Sequence, residues 1–464
     1  MLIALSLFLP YLLGIGLLLS IFFPDLVLVS LDTPHGRARL LAILIVLGIL
    51  LNYSLLLVIE RIDFALASGA IFSAVGFISA FWRFQRGLLS LFKIRILALP
   101  LVLIAGIYLI PIAFDPIAAG DARSIWFFHG KMIYYSGGVG PWTGFNEKAV
   151  LFSHVDYPKF IGILSAEFAF VAGFWNEFVP KASLEVLLLP AALAVTSFFK
   201  RLSFSNLFLL LMFFFSLGLL LWNGYMDGYL ALYAGIALLF LGRWLNDKDL
   251  LDLAAGFVFL VLAASLKNEG ALFLVSVVVP LCILWNFGRR REPSATPAAL
   301  GGRMWIIPLC SFSGFFLWFW KKGSLGLEND LHLGVTSLPR IAARLEDGSI
   351  QLISKWLFMD ALVLKAFVVL AISLVGVKMM GRRISAGVTM AITTSVLYLS
   401  GIFFIYLATP ANLQWHLSTS ATRTMAVVLF GLFAGIYFLL EEIESQSGTI
   451  LNVDKVQPDV EFKS

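Results

Sequence analysis

Polar chemistry is scarce in this chain and concentrated in a few short stretches. The densest reads FDPIAAGDARSIWFFHGKMIYYSGG, from Phe114 to Gly138, and carries Asp121, Arg123, His129 and Lys131. As a helix from Asp121 to Tyr135 it would lie on a membrane surface. Asp121, Ile125 and Phe128 would then share a side, because residues three and four apart are neighbours. An acid poised there can accept a proton from a hydroxyl or hold a metal ion. Equally, Asp121 can simply cap the helix. HVDYPKF, residues 154–160, offers His154, Asp156 and Tyr157 to a metal or a sugar. The plainer reading is a solvated turn whose Pro158 opens the next helix.

Three further stretches carry charge. WNGYMDGY, residues 222–229, has the Asn-Gly turn signal, interfacial aromatics, and Asp227 at the edge of an apolar run. Ionisable groups are costly there, so a working role competes with a helix cap. Lys267 and Glu269 interrupt an otherwise apolar stretch from 250 to 287. They can pair with each other, or Lys267 can meet a phosphate at the membrane surface. TPANLQWHLSTSATRTM, residues 409–425, places His416 and Arg423 among hydroxyls. A guanidinium there suits phosphate oxygens, although an arginine also snorkels to an interface without binding anything.

The elements that must position these residues are apolar. Sixty per cent of the 464 residues are hydrophobic and 13% charged, with mean hydropathy +0.94. A soluble domain carries about 25% charged residues, so composition excludes one and points to a lipid bilayer. Apolar segments fall near 2–23, 40–59, 62–81, 97–114, 160–174, 182–199, 205–222, 228–242, 250–266, 270–287, 304–320, 357–377, 385–408 and 424–440. The first lacks a basic leader and an A-x-A-like cleavage site, so it reads as a retained span. The net charge of +5 lies mostly in short loops and forms no nucleic-acid-binding stripe. Cys282 and Cys310 sit in apolar runs without metal-ligand spacing and read as packing residues.

Loop charge sets the topology. The basic loops are Arg37/Arg39, Arg83/Arg86/Lys93/Arg95, Lys200/Arg201, Arg243/Lys248, Arg289/Arg290/Arg291 and Lys378/Arg382/Arg383. The positive-inside rule puts all six in the cytoplasm. That is possible only if 160–174, short and carrying Glu167 after Pro158, lies along the outer interface or re-enters. The expected fold is therefore an all-α, polytopic transmembrane helical bundle of about 13 spans, N-terminus out and C-terminus in. Juxtamembrane amphipathic helices belong to its first large external loop. The loop 115–159, the turns at 223–227 and 267–270, the loop 321–356 and the stretch 409–423 then converge on the outer face. No repeat of 20–50 residues or inverted symmetry is evident.

Taken together, GDARSIWFFHGKMIYYSGG, HVDYPKFIGILSAEFAFVAGFWNE, NGYMDGYLA, LKNEGALFL and NLQWHLSTSATR resemble the GT-C membrane glycosyltransferases. The branch is the one similar to protein O-mannosyltransferases and aminoarabinose transferases. The resemblance covers residues 95–430. It divides the chain into a transmembrane block at 1–95, a GT-C-like catalytic module at 96–440 and a polar cytoplasmic tail at 441–464. It implies transfer of a sugar from a polyprenyl-phosphate donor to a hydroxyl of a glycan, lipid or protein acceptor, on the external face of a bacterial plasma membrane. Asp121 matches the family's catalytic acid, the general base toward the acceptor. Lys267 and Arg423 would receive the departing phosphate. His154 or Asp156 would orient the acceptor or a divalent cation, Mg or Mn, with Asp121 as a further ligand. Arg123, His129, Lys131, Tyr157, Asp227, Glu269 and His416 would complete the substrate site. The family often shows an Asp-Glu pair, whereas Ala122 follows Asp121 here. A transporter or flippase of a lipid-linked or anionic substrate is the competing class, and a polymer ligase or polymerase a third.

Overall fold

The computed structural model describes residues 2–84, 91, 98–199, 203–291, 306–330 and 337–447. Arg86, Lys93, Arg95, Lys200, Arg201 and the tail beyond 447 lie outside the described residues, as do the side chains of Arg289, Arg290 and Arg291. The chain is all-helical. In order, the helices are α1 Leu2–Ser20, α2 Pro24–Leu31, α3 Pro34–Ile59, α4 Ile62–Phe84, α5 Ala98–Phe114 and α6 Phe127–Ser136. There follow α7 Phe160–Ala172, α8 Ser183–Thr196, α9 Phe204–Leu210, α10 Met226–Asp247, α11 Leu250–Leu266 and α12 Asn268–Arg291. The last are α13 Ile306–Ser324, α14 Ser337–Glu346, α15 Ser349–Phe358, α16 Ala361–Met379, α17 Ala386–Ala408 and α18 Leu413–Ser447. Among the described residues seven helices are long and apolar enough to cross a membrane: α3, α4, α10, α12, α16, α17 and α18. They fit an integral, multi-pass membrane protein.

Local signals account for the boundaries. Thr33 caps α3 by accepting from the Gly36 N–H, with Pro34 in the first turn. Asp360 and Ser385 cap α16 and α17 in the same way. The apolar stretch from 250 to 287 is split by one extended residue, Lys267 (φ −156°, ψ 159°). The two arms meet closely, since a Cβ on Gly270 would stand 2.4 Å from the Ala263 carbonyl oxygen. The run at 205–222 is broken. After α9 it winds into a π turn, Leu211–Phe215, and a 3-10 turn, Gly218–Leu221.

Contacts between loops sort the bundle into two ends. At one end Arg39 of α3 pairs with Asp249 (2.8 Å) and with Asp252 between α10 and α12. Asn246 accepts from the Gly387 N–H (3.1 Å), Glu442 from the Ser385 N–H (3.2 Å), and Glu444 from Ser205 (2.6 Å). These contacts gather Arg39, Arg243, Lys248 and the start of α17 together. At the other end the Val139 N–H donates to the Glu60 carbonyl (2.7 Å), and Lys321 pairs with the Glu60 carboxylate. The loop after α5, the α11–α12 turn and the starts of α10 and α18 share that end.

α7 leaves and returns to this same end. It begins beside Asp156, and beyond its end Glu177 accepts from the Ile117 N–H (3.1 Å). Along its length it stays level with one point of α3: Phe160 packs on Tyr53 (5.0 Å between rings) and Glu167 accepts from Asn52 (2.7 Å). Phe160 at its start and Glu167 in its middle thus meet adjacent residues of α3, so this half of α7 runs across that helix rather than along it. Glycines tighten the first helices. A Cβ on Gly16 or Gly48 would stand 1.9 Å from a carbonyl oxygen of the facing helix, so backbones of α1 and α3 touch.

Candidate functional site

The end that holds Glu60 and Lys321 encloses a cavity of about 440 Å³. Its walls come from Asp121–Trp126, His154–Tyr157, the turn Lys267–Glu269, Asn329–Asp330, and residues 405–423. All five polar stretches singled out above reach it or its immediate backing.

Asp121 precedes a π turn, Ala122–Trp126, rather than a regular α-helix. The extra residue per turn lets Asp121, Ile125 and Trp126 all line the cavity. Arg123 and Lys131 sit elsewhere on this segment, are exposed, and do not line it. His129 is turned inward but stops short: it is buried against Ser153 (3.1 Å) and Lys159 (3.2 Å), with Phe145 edge-on to its ring. Burial, with the nearby Lys159 charge, pushes its pKa far down. These three residues, expected in the substrate site, are therefore not brought to the cavity.

Asp121 does not cap its helix; no side-chain cap bond forms. Its carboxylate instead accepts from the Arg423 guanidinium of α18 at 2.5 Å. Arg423 also reaches the Asp227 carboxylate (3.5 Å) and lies over the Tyr225 ring (4.7 Å). Asp227, almost fully buried, accepts from Lys267 (2.8 Å), which also contacts Glu269 (2.9 Å). The result is a chain of alternating charge: Asp121, Arg423, Asp227, Lys267, Glu269. Burial alone would lower the Lys267 pKa, but the Asp227 and Glu269 carboxylates outweigh it and hold the ammonium well above its ordinary value.

A second assembly adjoins the first, with Lys267 lying over the Tyr157 ring (5.9 Å). Trp126 stacks on Tyr157 (5.4 Å, 25°) and Tyr157 on His154 (5.2 Å, 20°), forming an aromatic column beside the cavity. His154 pairs with Asp330, whose hydrogen bond raises the imidazole pKa against the opposing effect of burial. Asp156 is 0% exposed. Its Oδ2 accepts from Asn268 (2.7 Å) and faces Lys322 (3.5 Å), while its Oδ1 has no partner. Burial, then the Asp330 charge, raises its pKa, with Lys322, Asn268 and Lys159 opposing. His416 completes the rim, bonded to Thr409 (3.0 Å) and edge-on to Tyr406.

Asp121, His154 and Asp156 do not converge on a common point. Among the described residues no three His, Cys, Asp or Glu side chains are grouped to hold a metal ion. Asp121 and His154 are each paired with another residue and Asp156 stands apart from them with one oxygen bound to Asn268, so the three as placed do not fit a divalent cation.

Several lining residues were not anticipated. Asn268, Asn329, Asp330, Trp126, Thr409, Trp415, Thr419 and Ser420 line the cavity, and Lys322 backs it through Asp156. Their signal was weak but present. Asp330 lies in the polar run GLENDLH, and Asn268 sits between the two charges that break the 250–287 stretch. Comparison with family models, curated proteins and solved structures finds no match for this chain.

Proposed function

We propose that this chain is a membrane glycosyltransferase of the GT-C kind, moving a sugar from a polyprenyl-phosphate donor to an acceptor hydroxyl of a glycan, lipid or protein. The observation that carries this reading is the pairing of Arg423 and Lys267 around one shared carboxylate, Asp227, on the wall of a cavity. The two cations are positioned by three carboxylates, Asp121, Asp227 and Glu269, so a leaving phosphate would use them by competing with Asp121 for the Arg423 guanidinium. The aromatic column and Trp415 give apolar faces suited to a sugar ring. In this reading the chain crosses the membrane about thirteen times, N-terminus out and C-terminus in. The cavity then faces outward from a bacterial plasma membrane, opposite the basic loops.

A second reading has one observation in its favour. The opposite end carries its own polar cavity of about 470 Å³, lined by Arg39, Arg243, Asp247, Asp249 and Asp252. A transporter needs an opening on each side, with its substrate held near the midplane. Here α10 and α11, between the two cavities, are buried along nearly their whole length by apolar side chains. Most of the described charges sit at helix ends, Glu167 in the middle of α7 and Lys365 within α16 being exceptions. This favours transfer chemistry on one face.

The test is transfer of radiolabel from polyprenyl-phosphate sugars to cell-envelope acceptors by the purified protein. Transfer is expected for the wild type and loss of it for Arg423→Ala. Absence of transfer from every donor, together with lipid-linked sugar crossing reconstituted liposomes, would replace this reading with transport.

A further inference from the structure

We propose that His154, with Asp330 bonded to its Nδ1, is the group that takes the proton from the acceptor hydroxyl, in the transferase reading on which this inference rests. The His154 ring lines the cavity, and its side chain is 42% exposed. Three features fix it. His154 ends the 3-10 turn Lys148–Ser153 in the left-handed region (φ 54°, ψ 60°), which glycine would adopt without strain. Its ring stacks on Tyr157 (5.2 Å, 20°), and its Nδ1 bonds the Asp330 carboxylate, 176 positions away. Backbone strain at the edge of a cavity points to a side chain whose placement matters.

An ionised carboxylate only accepts, so Nδ1 carries the proton and the Nε2 lone pair is left for a ligand. Among the described residues Nε2 makes no hydrogen bond. A hydroxyl that donates to Nε2 is aligned to give up its proton, and Asp330 stabilises the imidazolium that forms. The cavity's other imidazole lacks this support. His416 bonds through Nδ1 to the Thr409 hydroxyl, which supplies no counter-charge. Around His154 stand Asp330, Asp156, Asp121, Tyr157, His129 and His416. Asp330 first, then Asp156 and Asp121, raise its proton affinity against the opposing effect of burial. A base whose pKa lies near the operating pH is the efficient one.

Tyr157 links this group to the phosphate cations, since its ring lies 5.2 Å from the His154 ring and 5.9 Å from Lys267 Nζ. A sugar bound against that ring has a proton acceptor and a phosphate cation at hand. The step balances without a co-reactant. The acceptor oxygen forms a bond to the anomeric carbon as the bond from that carbon to the phosphate oxygen breaks. The hydroxyl proton passes to His154 Nε2, and the phosphate leaves with the bonding pair toward Arg423 and Lys267. His154 is half-exposed, so the proton passes on to water and the neutral ring is restored.

The experiment measures transfer rates from a radiolabelled polyprenyl-phosphate sugar to cell-envelope acceptors across pH for the wild type, His154→Gln and Asp330→Asn. His154→Gln is expected to lower kcat by roughly 10²–10⁴-fold, with donor KM within about twofold. In the wild type kcat/KM should fall as pH drops through the raised His154 pKa, because only the neutral imidazole accepts a proton. Asp330→Asn removes the main cause of that rise, so the acid limb should move to lower pH. That shift tests the pair in a chain that keeps His154, should the Gln variant fail to fold. A folded His154→Gln protein that transfers at the wild-type rate, or an acid limb unmoved in Asp330→Asn, overturns the assignment while an active wild type keeps the transferase reading. A wild type inactive with every donor overturns both.

Discussion

Replacing Asp227 by Asn separates a functional ion cluster from a mere helix cap. Asp227 lies between the Lys267 ammonium at 2.8 Å and the Arg423 guanidinium at 3.5 Å, and is 3% exposed. The amide keeps the shape and removes the charge. Stripping one partner from a buried ion pair costs about 3–5 kcal/mol. Lys267 retains Glu269 at 2.9 Å and Arg423 retains Asp121, so the lower figure, about 3 kcal/mol, is expected. At about 1.4 kcal/mol per decade, the folded-to-unfolded ratio falls more than a hundredfold. Adding Lys267→Met together with Glu269→Gln removes that cation along with its remaining partner and should restore most of the loss, because uncharged replacement of a whole buried pair is near neutral. Denaturant unfolding in detergent at fixed pH reads both variants. Inorganic phosphate should stabilise Asp227→Asn more than the wild type, since it supplies the missing charge to the exposed end of the clamp. An Asn variant as stable as the wild type, or a combined variant no better than the single, would refute the reasoning.

Other outcomes follow from the same geometry. The His154–Asp330 pair is about 40% exposed on each side and so contributes under about 1 kcal/mol. Because the His154 pKa is raised in the folded protein, that contribution is complete below its unfolded value, about 6.5, and fades as pH rises through the folded one. Thermal melts of wild type and Asp330→Asn should therefore differ at acid pH and converge at alkaline pH. Arg344 donates to the carbonyls of Tyr406, Leu407 and Ala411 at the end of α17. Arg344→Met should cost about 1 kcal/mol and speed proteolysis at 409–416, as gel sampling over time would show. Gly48→Val drives a side chain into the Leu12 carbonyl and should cost about 1–3 kcal/mol by overpacking, seen as a lower yield of folded protein in detergent.

How far the sequence could be read depended on the length scale of each signal. Charge bias in short loops is a local property, so Arg39, Arg243 and Lys248 were placed at one end without knowledge of any contact. The parity of basic loops likewise required 160–174 not to cross, and α7 returns to its starting end. Pairings between distant segments have no such local mark. Nothing near Asp121 announces Arg423, 302 positions away. Helical periodicity also misled where the backbone leaves the α form. The π turn at Ala122–Trp126 rotates Trp126 toward the cavity, and a density of charge alone does not say that Arg123 and Lys131 face away. The short helices α14 and α15 went unforeseen within 321–356 because an amphipathic helix lying on the bundle needs no long apolar run. The break after α9 was hidden for the opposite reason: LLLMFFF is apolar in any conformation.

The bond between Asp121 and Arg423 also has a consequence for biosynthesis. Chains emerge from the N-terminus and their early segments fold first. The loop bearing Asp121 is thus delivered long before α18 brings its guanidinium. Until then Asp227 has only Lys267, and the cavity lacks the wall from 409 to 423. The cavity is therefore completed only once α18 is in place. A ribosome that stops before residue 423 leaves the helices before α18 made and Asp121 without its guanidinium.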